Sequence, residues 1–475
     1  MEGITFAIIA GILIVFAAMA VIGVISARKI KNSEDFVIAG KKASPVMVAG
    51  AILCAIVGSG GTIGTAQTAF TYGIVGWWQT LGLAIGCFIL GLCLSQAIYK
   101  ITQAQTVSQV LKHTYGPKIL PITAIFSSIA IFFSILSQSK GFIPLLTSIM
   151  NVSDVSAAIV CFVLVCVFVI FGGIFANSLG GLLKMGVIYV GVLLSAIIAL
   201  VATKGVSGIT NALGSNVWNM FARSTGENGP LYDIGIGVGF ILGVLVTQTY
   251  VQAVLSAKDA KAARNGCMLG GALCLPVGLL CCIIGMYMKM NYPDISAAQA
   301  LPLFMVYNYP GLIAGVFIGG LMLAALTSNA GLSLSVATLL QRDVICRNRP
   351  DMDQKKQMLI LRVLIVIIVA LSCVFSVSTV GTYIQTFIFL SYGMRTTVFL
   401  VPMLAAFFWR GKITRSAGMA AALAGPIMDI IAYFVMGKSG THVFWGLGAS
   451  LIAFIVVDIL AKDRVEAGTL YAKKE

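Results

Sequence analysis

Charge is what these 475 residues have least of: 10% are Asp, Glu, Lys or Arg, histidine occurs 2 times, and the mean hydropathy is +1.01. A soluble globular domain needs far more polar surface, so that class is excluded and a polytopic membrane protein remains. Carboxylates and histidines are too scattered for a catalytic cluster, with His113 and His442 at the edges of apolar runs, so the chain is not expected to be an enzyme. Of the 11 cysteines only Cys346 falls in a loop, a pattern of neither a disulfide framework nor a spaced metal site. No loop is long enough for a soluble domain; the longest, near 204–232, holds at most a short surface element. Met1-Glu2-Gly3-Ile4 lacks the basic start of a cleaved signal peptide, so the first apolar run is expected to be retained.

What the sequence does have is long apolar runs. Those of about 17 residues or more lie near 4–26, 45–74, 76–98, 119–149, 155–173, 179–203, 233–257, 266–290, 311–340, 359–378, 381–409, 414–437 and 441–461, about thirteen transmembrane helices. An odd number puts the termini on opposite sides. Loops 27–44, 99–118, 257–265, 341–358, 410–415 and the tail 462–475 hold 23 of the 31 basic residues, which places the C-terminus in the cytoplasm and the N-terminus outside a plasma (inner) membrane. The +15 net charge is therefore a topology signal with affinity for anionic membrane lipids, and nucleic acid is excluded as a partner.

The run 45–74 is interrupted in its middle by Gly58-Ser59-Gly60-Gly61. Thirty residues of straight helix would span about 45 Å, half again the roughly 30 Å hydrocarbon core, and glycines at the centre favour a break over a tilt. Unwound backbone at that depth requires protein or a polar cavity to satisfy it, so a break implies a site for ions or small solutes. With the first run set aside, the next ten fall into two sets of five. The second set opens on Gly235-Ile236-Gly237-Val238-Gly239-Phe240-Ile241-Leu242-Gly243, a glycine-rich counterpart expected to interrupt its own first helix. Because five is odd, the sets enter the membrane from opposite sides, as in secondary transporters built on inverted repeats. The expected organisation is a first peripheral helix and cytoplasmic loop (1–44), repeat 1 (45–203), repeat 2 with its preceding external loop (204–409), and two peripheral C-terminal helices with a tail (410–475).

Several separated stretches resemble the sodium/solute symporter family. Ser33-Glu34-Asp35-Phe36-Val37-Ile38-Ala39-Gly40-Lys41 is similar to its S-x-x-D-F-x-x-A-G-[RK] signature. Leu255-Ser256-Ala257-Lys258-Asp259 is similar to its L-x-A-K-[DS] segment, and Phe408-Trp409 through Gly418 to a further family run. The resemblance spans nearly the whole chain. It implies an all-α, 5+5 inverted-repeat (LeuT-type) core with a broken first helix in each repeat, and a sodium ion between the first broken helix and the run 311–340. Ala324-Ala325-Leu326-Thr327-Ser328 resembles the family's sodium motif, which would make the Thr327 and Ser328 hydroxyls and the Ala324, Cys54 and Val57 carbonyls the ligands. Oxygen donors freed at a helix break suit a hard cation; the alternative is that both hydroxyls bond back to their own helix. The half-helix N-terminus after the break would present free N–H groups and a positive dipole end to a carboxylate, which sets Ser59, Gly60 and Gly61 against the solute, and the resemblance implies that Gln79 and Thr80 add hydrogen bonds.

The chain also departs from the family. Where many relatives carry W-T-D-x-x-Q, it reads Leu179-Gly180-Gly181-Leu182-Leu183-Lys184, so the carboxylate has become Gly181. A lysine here occupies the sodium position in some sodium-independent carriers of related architecture, so Lys184 either takes the ion's place as a coupling residue or snorkels to the cytoplasmic surface. Lys140 and Arg395 are further cations within core runs that offer no mid-depth Asp or Glu, at about 2.5–3.5 kcal/mol for an unpaired charge. Arg395, near Tyr383, Gln385, Ser391 and Tyr392, is expected either to pair with an anionic solute through its guanidinium or to serve structure. The expectation is a sodium-coupled symporter importing a small organic solute, most simply a carboxylate, by alternating access. The rivals are a proton-coupled or sodium-independent carrier using Lys184, and a channel or solute sensor on the same fold.

Overall fold

A computed structural model of the chain describes residues 2–27, 41–101, 104–150, 152–224, 228–347, 349, 352–378, 384–409, 411–437 and 440–465. The signature residues 33–40 and Tyr383 lie outside the described residues. Among those described, the chain is helical with no strand beyond isolated bridges. The helices that matter here are α1 (Glu2–Ala27), α2 (Pro45–Ile56), α3 (Thr65–Tyr72), α4 (Trp78–Ile89), α5 (Val107–Tyr115), α6 (Ile119–Met150) and α7 (Asp154–Ala202). They are followed by α8 (Tyr232–Val246), α9 (Gln248–Ser256), α10 (Ala260–Asn291), α11 (Gly311–Leu339), α12 (Gln354–Ser378), α13 (Ile384–Phe408), α14 (Arg415–Ile430) and α15 (His442–Leu460). Among the described residues 11 helices are long and apolar enough to cross a membrane, and Pro45–Ile56 and Asp154–Phe168 are shorter apolar helices. Together these take up the expected apolar runs. The runs 155–173 and 179–203 fall in the single helical stretch α7.

Burial separates core from periphery. More than three quarters of the most apolar window is buried in α11 and in α13, against 28% near the N-terminus and 22% in α15, whose Ile452 and Ile459 face outward as lipid-exposed side chains do. In the core, α7 packs on α2 and α11, α13 on α6, and α8 on α4 and α13.

Each repeat opens with a broken helix. Ser44 caps α2, its Oγ accepting from Met47 N, and Pro45 supplies a preset first turn. The helix stops where Val57 leaves helical geometry (φ −88°, ψ 66°), and the chain re-enters through a π-turn at Gly60–Gly64 before α3. The freed carbonyls are answered locally: Thr62 Oγ1 donates to Gly58 O (2.9 Å) and Thr65 Oγ1 to Gly60 O (3.2 Å). At two glycines neighbouring side chains close in on the turn. A Cβ on Gly58 would stand 2.2 Å from Gln138 Oε1 and 2.6 Å from Ser328 Oγ, and one on Gly60 would stand 2.0 Å from Ile388 Cδ1.

The second break is not where its glycines suggest. Gly235 to Gly243 remain helical within α8, and the chain opens at Thr247 (φ −73°, ψ 128°), after Val246 and before α9. The glycines instead let neighbours approach: Gly237 lies under the Trp78 ring, Gly243 against Tyr392 and Gly235 against the Gly440 carbonyl. At their basic ends the two broken helices are joined by a parallel bridge, Ala43 N donating to Ser256 O and Lys258 N to Ala43 O, both at 2.9 Å.

Candidate functional site

The site follows from how closely α7 approaches α2. Gly181 has no side chain to hold the helices apart: a Cβ there would lie 2.1 Å from Gly50 O. The position that carries a carboxylate in many relatives is thus a backbone contact here. One turn further along α7, Lys184 is fully buried and reaches no surface; its Nζ donates to Cys54 O at 2.7 Å and to Ser328 Oγ at 3.0 Å. Ser328 Oγ donates to the same Cys54 carbonyl. The last turn of α2 and the middle of α11 therefore converge on a cation, and that cation is an ammonium of the chain itself. Charge-assisted bonds to both oxygens offset the cost of burying it.

The neighbouring motif residues divide. The Thr327 hydroxyl bonds back to Leu323 O (2.8 Å), while its own carbonyl accepts from Cys54 Sγ (3.3 Å). Ala324 O lies 3.5 Å from Thr327 Oγ1. Val57 caps α2, its N–H donating to Leu53 O. Gly181→Ala is expected to push α7 off α2 and carry Lys184 away from Cys54 O, at about 1–3 kcal/mol, read as a lowered thermal midpoint of the purified protein in detergent. An unchanged midpoint would contradict the backbone contact.

Beyond the break, protein groups occupy the polar backbone. Ser59 N and Oγ both donate to Gln138 Oε1 (2.8 and 2.9 Å), so α6 holds the turn. With its amide oriented to match its neighbours, Gln79 donates to Gly60 O (2.8 Å) and accepts from Gly61 N (3.2 Å), with Gln385 of α13 within 3.0 Å. Thr80 is turned away from this group. Its hydroxyl lies against Gly278 of α10 and donates to Trp77 O, leaving only its methyl toward Gly61.

Arg395 is fully buried on α13 and gathers both halves of the fold. Its Nη2 donates to Ser134 of α6 and Ser391, its Nη1 to Thr247 at the second break (3.3 Å), and its guanidinium lies 4.6 Å from the Tyr392 ring centroid. All these partners are neutral, and its Nε has no hydrogen-bond partner among the described residues. Tyr392 OH pairs with Tyr250 OH of α9. Lys140, by contrast, lies 5.0 Å from the centroid of the Phe387 ring. Gln138, Ser134 and Thr247 were not singled out from the sequence; a buried amide and hydroxyls along apolar runs were the available signal.

Comparison with known proteins places the chain as a whole. A family model, the sodium:solute symporter family, matches residues 36–428. The sodium/pantothenate symporter of Haemophilus influenzae is 21% identical over 428 residues, covering 85% of each chain. The osmoregulated proline transporter of Bacillus subtilis is 20% identical and covers 96% of this chain and 95% of its own. Among solved structures, a Na+-coupled sialic acid symporter in a substrate-bound outward-open state superimposes with a TM-score of 0.83 at 16% identity, covering 98% of this chain and 99% of its own. A nucleobase-cation-symport-1 family transporter in a closed conformation gives 0.57 at 13% identity, over 90% and 94%. The chain belongs to the sodium:solute symporter family, and the activity that goes with that membership is sodium-coupled import of a solute.

Proposed function

We propose that the chain imports a small organic anion by alternating access, and that sodium and the Lys184 ammonium take turns at one oxygen cluster between α2 and α11. The observation that carries this reading is the pair of bonds from Lys184 Nζ to Cys54 O and Ser328 Oγ, which bring one cation against oxygens of both α2 and α11; in this reading those two elements separate as the carrier opens. Sodium would enter as Lys184 withdraws or gives up its proton, taking these two oxygens, with Val57 O, Ala324 O and a rotated Thr327 hydroxyl completing its shell. Ser59, Gly60, Gly61, Gln79 and Arg395 would face the solute, and Thr80 would join only after its hydroxyl leaves α10. The carboxylate reading rests on Arg395, whose partners are all neutral. The orientation that fits the basic loops has the N-terminus outside and the C-terminus cytoplasmic.

A second reading is favoured by the same two bonds: Lys184 stays in place and its proton replaces sodium as the coupling ion. Uptake into proteoliposomes with imposed gradients separates the two. Under the first reading, an inward sodium gradient drives accumulation of one carboxylate from a panel of carboxylates, amino acids and sugars. With one sodium per monovalent carboxylate no net charge crosses and a potential of −100 mV leaves accumulation unchanged, whereas each additional sodium adds about 2.3 kcal/mol, close to fiftyfold in accumulation. Accumulation driven by protons in the absence of sodium would overturn the first reading and establish the second.

A further inference from the structure

At the basic end of the bundle, away from the solute path, a cleft of about 260 Å³ opens between the last turn of α5, the start of α6 and the π-turn Leu340–Ile345 that follows α11. Lys112, Arg342 and Arg347 line it together with Gln109 and Pro117, and among the described residues no carboxylate lines it. Asp343 is buried behind the cleft, where Thr106 Oγ1 donates to its Oδ2 (2.7 Å) and Gln109 Nε2 to its Oδ1 (2.8 Å), and its charge reaches Arg342 and Lys112 and offsets part of theirs. The Arg342 guanidinium is positioned by a bond from Nη1 to Gln357 Oε1 of α12 (2.9 Å). Three like charges around one small cleft repel one another, and a multivalent oxyanion relieves that repulsion where chloride does so weakly.

We propose that this cleft binds a phosphate group, borne either by a lipid headgroup at the membrane surface or by a free phosphate compound. A tetrahedral oxyanion offers acceptors to two guanidinium forks and an ammonium at once, and basic pockets between helices at the cytoplasmic surface suit such groups. The location gives the occupant leverage. Gln109 lines the cleft and also holds Asp343, so an occupant bears on the contact that ties α5 to the end of α11, the helix that carries Ser328.

The test titrates the purified full-length carrier, in neutral detergent at constant ionic strength, with inorganic phosphate and, separately, with phosphatidic acid in mixed micelles, reading the thermal midpoint. A saturable rise is expected. Its half-saturation should weaken roughly fivefold for each cation removed in Lys112→Gln and Arg347→Gln, and stay unchanged in Lys355→Gln, an exposed charge outside the cleft. Each variant is first shown to have the wild-type midpoint without added anion. A rise with phosphatidic acid alone assigns the site to a headgroup, and one with inorganic phosphate assigns it to a free phosphate compound. No saturable rise with either, or an undiminished rise in the Lys112→Gln/Arg347→Gln double variant, overturns the proposal.

Discussion

Lys184→Ala is expected to bind sodium ten- to a hundredfold more tightly than the wild type. The ammonium makes two charge-assisted bonds, to Cys54 O and Ser328 Oγ, each worth about 1.5–3 kcal/mol. An entering ion must displace both, and every 1.4 kcal/mol of that competition is a factor of ten in affinity. Removing the side chain leaves two buried oxygens without a cation, which lowers stability in sodium-free buffer and hands the position to the ion. At a hundredfold excess over Kd, bound sodium returns about 2.7 kcal/mol. A sodium titration of the thermal midpoint in both proteins reads this directly. Superimposable curves would mean that sodium does not compete with Lys184 at this cluster. A variant that ignores sodium and also loses proton-driven accumulation would identify Lys184 as the coupling group itself.

How much of this could be read in the sequence depended on whether a feature was local. The Gly58 to Gly61 break was legible because three glycines and a serine within four residues contradict helix propensity, whatever the surroundings. The second break was misplaced for the opposite reason. Glycine there serves contact with Trp78 and Tyr392, whereas the opening at Thr247 carries no glycine; its signal is the polar run Thr247-Gln248-Thr249-Tyr250 inside an apolar span. Lys184 was legible as a cation out of place, but its direction was not. Whether it snorkels or turns inward is decided by Gly50 and Gly181 letting two backbones meet, which brings together residues separated by 130 positions. Thr327 and Ser328 look equivalent in sequence. Their positions on α11 separate them, one hydroxyl returning to Leu323 O and the other crossing to Cys54 O.

Arg395→Gln is expected to lower kcat/KM for the anionic solute by at least about a hundredfold while leaving sodium binding intact. Two parallel charge-assisted bonds to a carboxylate amount to about 3–6 kcal/mol, and glutamine retains at most one neutral bond. The surroundings say how the loss should be distributed. The guanidinium holds Ser134, Ser391 and Thr247, so it braces α6 and α13 against the second break even when no solute is bound. A purely bracing arginine would, when removed, lower the thermal midpoint and slow transport of charged and neutral solutes alike. An arginine that meets the carboxylate discriminates: KM for the anion rises steeply, while the neutral amide of the same solute, already a poor substrate, is transported by variant and wild type at similar rates. Arg395→Lys sharpens the test, because it keeps the positive charge and removes the planar fork. If charge alone mattered, lysine would restore uptake; recovery of no more than a tenth of the wild-type rate is expected if the carboxylate is held by two nitrogens at once. Equal losses for the anion and its amide would remove Arg395 from the solute site and leave it as the strut between α6, α13 and the Thr247 break.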